Sequence, residues 1–246
     1  MSHTSRPVKA VPADKPDARR ERWREHRQAR RAEFVEAAVR AIGKHGAEVG
    51  MDEIAAEAGV SKPVLYRHFS DKSDLYVAVG EWGTELLMQR LRPLFRDSGT
   101  PNQRIRRLID GYLGLIEQYP DLYRFVVQRT FADRPVHDDP VSAEKTVIAN
   151  SLSRVLGEYL RLLGLDSGGV EVWSHGVVGL VQSSGDWWLE RQSMSRGDLT
   201  SYLAQIIWHA IDGLLRSGGI VLDPDELIEL DGGLHLVEDD AEESGS

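Results

Sequence analysis

Cysteine is absent from this 246-residue chain. A disulfide framework, a thiolate-held zinc, an iron–sulfur cluster and a cysteine nucleophile are thereby excluded, and the expected setting is a reducing cytoplasm. Long apolar runs are missing too. No stretch approaches the roughly 18 uninterrupted apolar residues of a membrane span. The positive charge at the N-terminus has no apolar segment behind it, so a secretory signal is not expected. Alternating β-branched runs are scarce, and no phosphate-cradling glycine loop is present. Apolar residues make up 41 % of the chain, and Leu, Ala, Glu and Arg recur at helical spacing, which predicts an all-α fold with a packed core.

The net charge of −9 conceals an asymmetry. Residues 1–75 hold 15 Lys and Arg against 12 Asp and Glu, whereas residues 76–246 hold 15 against 27. The first 31 residues carry 10 basic and 4 acidic side chains. A basic front and an acidic rear would orient the chain on a polyanion. A solvated, charged tail explains the first 31 residues equally well.

Four segments follow from the pattern. Residues 1–25, with Pro7, Pro12 and Pro16, are expected to form a flexible basic arm. Residues 26–75 read as a small three-helix domain, with Phe34, Ala37, Ala38 and Ile42 on one face of the first helix. Ser70 is placed as the cap of a fourth helix that runs to about Phe95, with Leu75, Val79, Trp82, Leu86 and Leu87 as its stripe. Further helices are expected near 102–118, 120–132, 141–164, 168–191 and 197–217, filling a unit over 76–222. Residues 223–246 read as an acidic mobile tail.

The most informative stretch runs from Met51 to Phe69. Two helices this short cannot stand alone. They must pack on each other and on the helix before them, through Ile54, Ala55, Ala58, Val60, Leu65 and Phe69. Gly59 falls where a helix end needs a left-handed residue. Ser61 is placed to accept from the free amides of the helix it opens, and Pro63 is tolerated in its first turn. In such a pair the second helix, Ser61 to Phe69, enters the major groove of duplex DNA. Its exposed side chains would be Ser61, Lys62, Pro63, Tyr66, Arg67 and His68, suited to phosphates and base edges. Lys72 could reach a phosphate at the start of the fourth helix.

Over residues 30–78 the chain resembles the TetR family of regulators, most specifically in Val60-Ser-Lys-Pro-Val-Leu-Tyr-Arg-His-Phe69. The resemblance implies backbone contacts from Tyr66 and His68, base and phosphate contacts from Ser61, Lys62 and Pro63, and a phosphate contact from Lys72. The family often has Thr or Ser before its second helix. This chain has Gly50, which lacks the hydroxyl.

The rear helices are read as a sensor and a dimer surface. Residues 173–188 mix Trp173, Val177, Val178, Leu180 and Val181 with Gly176, Gly179, Ser183, Ser184 and Gly185. The last helix offers Leu203, Ile206, Ile207, Ile211, Leu214 and Leu215. The resemblance implies that these two helices pair with those of a second copy; the competing reading is monomer core. The candidate lining of an effector pocket is Leu108, Tyr112, Ile116, Phe125, Val126, Phe131, Leu152, Leu156, Trp173 and Val177, with Gln128, Arg129, Asn150 and His175 as polar candidates. An apolar lining favours a hydrophobic effector, a fatty acyl compound first and a drug-like compound second.

The expected function is a regulator, a repressor, that binds a palindromic operator in double-stranded DNA as a homodimer and is controlled by a small hydrophobic effector. It is not expected to be an enzyme, to need a cofactor or metal, or to enter a membrane. Ligand would favour one spacing of the two DNA-reading heads and, by the family's habit, release the operator. Two rivals stand beside this. An enzyme would need an acid–base or metal cluster, for which His137-Asp138-Asp139 is the nearest constellation. A lipid-surface protein could use Arg19, Arg20, Arg22, Arg24, Arg27, Arg30 and Arg31, but that run lacks the apolar face of an interfacial helix.

Overall fold

A computed structural model describes residues 16–128 and 140–227. Phe131, Arg129 and the His137-Asp138-Asp139 constellation lie outside the described residues. Within them the chain forms nine helices and no strand: α1 (Pro16–His45), α2 (Met51–Glu57), α3 (Lys62–Leu65), α4 (Lys72–Arg96), α5 (Pro101–Gln118), α6 (Pro120–Gln128), α7 (Pro140–Leu162), α8 (Val170–Arg191) and α9 (Arg196–Ser217).

Helix α1 begins at Pro16, so the second part of the segment expected as a flexible arm is helical. Proline suits a first helical position because its missing N–H would have no partner there. The Arg- and Glu-rich run behind it consists of good helix formers, and Glu21 pairs with Arg24 at 3.7 Å.

Helices α1–α3 and the start of α4 close around one apolar cluster. Phe34, Ala38 and Ile42 of α1 meet Ile54 and Ala55 of α2, Leu65 and Phe69 around α3, and Leu75 and Val79 of α4. Each fully buried Leu, Ile or Phe contributes roughly 1.5–3 kcal/mol, which compensates for helices too short to persist alone. Ala58 and Val60 pack on the rim of this cluster. Leu122 and Phe125 of α6 also belong to it, so α6 touches the head directly.

A second cluster holds the rear together. Leu87, Leu91 and Phe95 of α4 pack with Ile109, Leu113 and Ile116 of α5, Trp188 and Leu189 of α8, and Leu199, Leu203 and Ile207 of α9. Polar clasps tie the ends. Arg196 spans Asp110 at 2.8 Å and Glu117 at 2.5 Å, joining α9 to α5. The Trp188 indole donates to the Met194 carbonyl at 2.8 Å. Ser195 caps α9, its hydroxyl oxygen accepting from the Asp198 amide at 3.1 Å.

Residues 223–227, the start of the expected mobile tail, are held on α5. The Pro224 carbonyl accepts from the Asn102 amide at 2.9 Å, and Asp225 accepts from the Asn102 side chain at 2.9 Å. A first-turn amide has no partner inside its own helix, and the returning chain supplies one.

Candidate DNA-reading face and internal cavity

The reading face is built around one corner. Gly59 takes φ +65°, a left-handed conformation that glycine adopts without a Cβ clash. The chain then turns into α3, and the Val60 amide donates back to the Ala55 carbonyl at 3.0 Å. Helix α3 is shorter than expected. Past Leu65 the path tightens into turns, with the Arg67 amide donating to Val64 and the His68 amide to Leu65. Ser61 stands at the N-cap, but its hydroxyl makes no capping bond, contrary to expectation. The side chain is exposed instead. At α2, Glu53 accepts from the Gly50 amide at 3.1 Å, and Gly50 has no side chain to return the bond.

Ser61, Pro63, Tyr66 and Arg67 are all exposed, Tyr66 at 43 %. The corner, the short helix and Leu65 as its buried anchor force these side chains outward together. Lys62 is half-buried and pairs with Asp52 of α2 at 2.9 Å. That hydrogen bond to Asp52 raises the Lys62 ammonium above its ordinary value.

His68 is only half-exposed. Its ring stands edge-on to Phe34, centroids 5.1 Å apart, and its Nδ1 is buried without a hydrogen-bond partner. Burial first, and then Arg27, Arg30, Arg67 and Arg31, hold the imidazole below its ordinary value. Lys72 is exposed at the start of α4, its ammonium 5.2 Å from the centre of the Tyr76 ring.

Beneath this face lies a latch that the sequence did not reveal. Arg31 of α1 donates to Asp74 of α4 through both terminal nitrogens, at 2.5 and 3.3 Å, and to the His68 carbonyl at 2.8 Å. The Ser70 amide donates to Asp74 as well, at 2.9 Å. The bond from Arg31 holds the Asp74 carboxyl below the usual carboxylate range. The cap of α4 is Asp71, which accepts from the Asp74 amide at 2.8 Å; Ser70, expected in that role, lies one residue outside. No local signal links residues 31 and 74; only a charged pair flanking the motif on both sides hints at it.

Behind the head, α4, α5, α7, α8 and α9 border a cavity of about 440 Å³ that opens beside the exposed Val172 and Ile206. Of the residues expected to line it, Leu108, Tyr112, Leu152, Leu156, Trp173 and Val177 do so. Ile116, Phe125 and Val126 do not. Ile116 and Val126 turn to a small void of about 40 Å³ between α4, α5 and α6. Phe125 is buried in the head cluster, edge-on to Tyr76 at 4.7 Å. Helical spacing placed these three on apolar faces, but α6, with Phe125 and Val126, lies against the head and α4 rather than the cavity, and Ile116, in the last turn of α5, faces the same small void. Asn150 and His175 are exposed and outside the lining.

The sequence reading missed Leu91 and Phe95, which bring the far end of α4 into the cavity wall, and the polar residues Ser174 and Gln182. The signal was there: a hydroxyl and an amide on the apolar face of α8.

Helices α8 and α9 also carry an outward face. Val172 (75 % exposed), Gly176, Gly179 and Ser183 follow one another along α8; Tyr202 (59 %), Ile206 (55 %), Ala210 and Gly213 do so along α9. A Cβ added at Gly176, Gly179 or Gly213 would meet no atom within 4 Å. Among the described residues no helix is long and apolar enough to cross a membrane.

Residues 34–79 match the family described as bacterial regulatory proteins, tetR family, and residues 90–215 match the tetracyclin repressor-like C-terminal domain. An HTH-type transcriptional regulator of Mycobacterium tuberculosis is 36 % identical over 207 residues, covering 83 % of this chain and 87 % of its own. The HTH-type transcriptional activator FasR of Mycolicibacterium smegmatis is 32 % identical over 167 residues, covering 66 % of this chain and 74 % of its own. Among solved structures, FadR from Bacillus subtilis in complex with stearoyl-CoA superposes with a TM-score of 0.60 at 16 % identity, over 72 % of this chain and 96 % of that one. A tetR-family regulator from Streptomyces coelicolor superposes with a TM-score of 0.59 at 20 % identity, over 78 % and 82 %. At such identities the superpositions speak for the fold.

Proposed function

The chain belongs to the tetR family of bacterial regulatory proteins and is a DNA-binding transcriptional regulator, and from that premise we propose that it represses by binding a palindromic operator as a homodimer and yields to a small hydrophobic effector. The observation that carries this reading is the outward set Ser61, Pro63, Tyr66 and Arg67 beside the Gly59 corner, with the Leu65 anchor fully buried.

In this reading Ser61, Lys62 and Pro63 meet bases and phosphates, Tyr66, Arg67 and the free part of His68 meet the backbone, and Lys72 holds a phosphate beside the α4 N-terminus. One such turn offers few contacts, and a two-fold pair doubles them across half-sites about 34–36 Å apart or a multiple of that. The outward faces of α8 and α9 suit the pairing, because small residues let helices approach closely and the flanking Val172, Tyr202 and Ile206 supply apolar area.

For the effector, the support is the apolar cavity, together with the stearoyl-CoA of the Bacillus subtilis FadR structure. A fatty acyl compound is the first candidate. FasR is named an activator, which favours a second reading in which the bound dimer promotes transcription. In vitro transcription from a bound promoter separates the two signs.

The decisive experiment is selection of bound duplexes from a random DNA pool. The expected result is an inverted repeat whose half-sites are separated by whole turns of DNA, bound at least tenfold more weakly by Tyr66→Ala. Recovery of no preferred sequence, or undiminished binding by that variant, overturns the assignment.

A further inference from the structure

Five of the cavity's lining residues carry a polar side-chain atom: Tyr112, Lys145, Trp173, Ser174 and Gln182. Lys145 is exposed, so the interior of the cavity holds no cation among its described lining. Two of the interior atoms, Ser174 Oγ and Gln182 Oε1, are buried with no hydrogen-bond partner, and Ser174 is wholly inaccessible. A buried polar atom without a partner costs about 1–3 kcal/mol. Both lie on α8, eight residues apart, about 12 Å along the helix.

The groups outside the cavity favour one orientation of the Gln182 amide. Tyr123 of α6 donates its hydroxyl to Asp186, which as a carboxylate can only accept. Tyr112 donates in turn to the Tyr123 oxygen at 3.2 Å. The Gln182 side chain lies beside that hydroxyl and acts to lower its pKa. With its proton committed to Asp186, Tyr123 has only acceptor capacity left, which suits the NH₂ of Gln182 rather than its carbonyl. The carbonyl Oε1 of Gln182 is what remains. Burial and Asp186 push the Tyr123 hydroxyl well above its ordinary range, so its proton stays in place. The polarity of the chain therefore runs one way, from the cavity wall to Asp186, and leaves an acceptor in the wall.

We propose that the effector is an apolar chain bearing a hydrogen-bond donor, a hydroxyl or an N–H, that Gln182 Oε1 receives. A carboxylate is disfavoured at this end, because it brings acceptors to an acceptor and a negative charge towards Asp186. An acid or thioester head belongs at the Lys145 side. The inference rests on the cavity being the effector site. It narrows the expected acyl compound to one carrying a donor along its buried length.

The test compares two ligands of equal length that differ by the donor, dodecan-1-ol and its isostere 1-methoxyundecane, by titration calorimetry with the full chain. The expected result is binding of both, with the alcohol at least tenfold tighter. Gln182→Leu should bring the two affinities together without abolishing either. The wild-type ratio stands whether or not that variant folds. Equal affinities in the wild type, or an unchanged ratio in a folded Gln182→Leu, overturn the donor inference and leave the cavity reading intact. Binding of neither compound overturns both.

Discussion

The head and the rear of this molecule are packed to opposite ends. In the head, the long α1 and the short α2 and α3 converge on fully buried side chains such as Phe34, Ile54, Leu65 and Phe69, and its charges are largely answered within it: Arg31 by Asp74, Lys62 by Asp52, Arg40 and Lys44 by Glu57. The rear has a cavity of about 440 Å³ between five helices, with the unbonded Ser174 and Gln182 among its lining residues. A surface that must fit one stiff polyanion gains from being filled and braced. A chamber that admits a guest must forgo contacts its own side chains could have made.

Equal truncations in the two regions test that contrast most severely. Leu65→Ala removes a fully buried side chain from a filled cluster and should cost about 3 kcal/mol of stability. Leu152→Ala trims a wall that already faces open space, and its cost should stay below about 1 kcal/mol. Urea denaturation of both variants measures the difference, and similar losses would mean that the rear is as tightly filled as the head.

Gly59→Ala comes next. A side chain at φ +65° is strained by roughly 1–2 kcal/mol, and because that strain sits on the corner, operator binding should weaken more than global stability falls. Thermal unfolding and DNA retardation on the same variant sharpen the contrast.

The smallest effect concerns charge. The Lys62 ammonium is held by Asp52 in the free chain. Asp52→Asn should release it and remove a negative charge beside the reading face, strengthening DNA binding by a few-fold at low salt, as befits an exposed pair. The gain should shrink as salt rises. Weaker binding would place Asp52 as a brace for Lys62 rather than a competitor for it.

How much of this was legible in the sequence follows the same divide. The head could be read residue by residue, because its signals are local: apolar spacing at Phe34, Ala38 and Ile42, a glycine at the corner, and a proline in a first turn. The pairing of Arg31 with Asp74 was not legible, since it joins residues 43 apart. For the rear, helix positions were legible but the hollow was not. Leu108 and Ile116 are both apolar residues of α5, yet one lines the cavity and the other packs away from it. An empty space is a sum over side-chain volumes from five helices, and no short window of sequence contains that sum. Phe125 was misplaced for a related reason: its helix face is apolar as expected, but the neighbour it meets is Tyr76 of the head.

Helix α4 has Leu75 and Tyr76 at one end, in the head cluster, and Leu91 and Phe95 at the other, in the cavity wall. Its first turn is fastened to α1 by the Asp74 carboxylate, so head and helix turn as one stiff body. A rod of 25 residues is about 37 Å long, so a swing of about 5° pivoting at Phe95 would carry its far tip by roughly 3 Å. That is the length of a hydrogen bond. In the function proposed above, a guest that tilts α4 about its Phe95 end would have a lever long enough to shift Tyr66 by that distance.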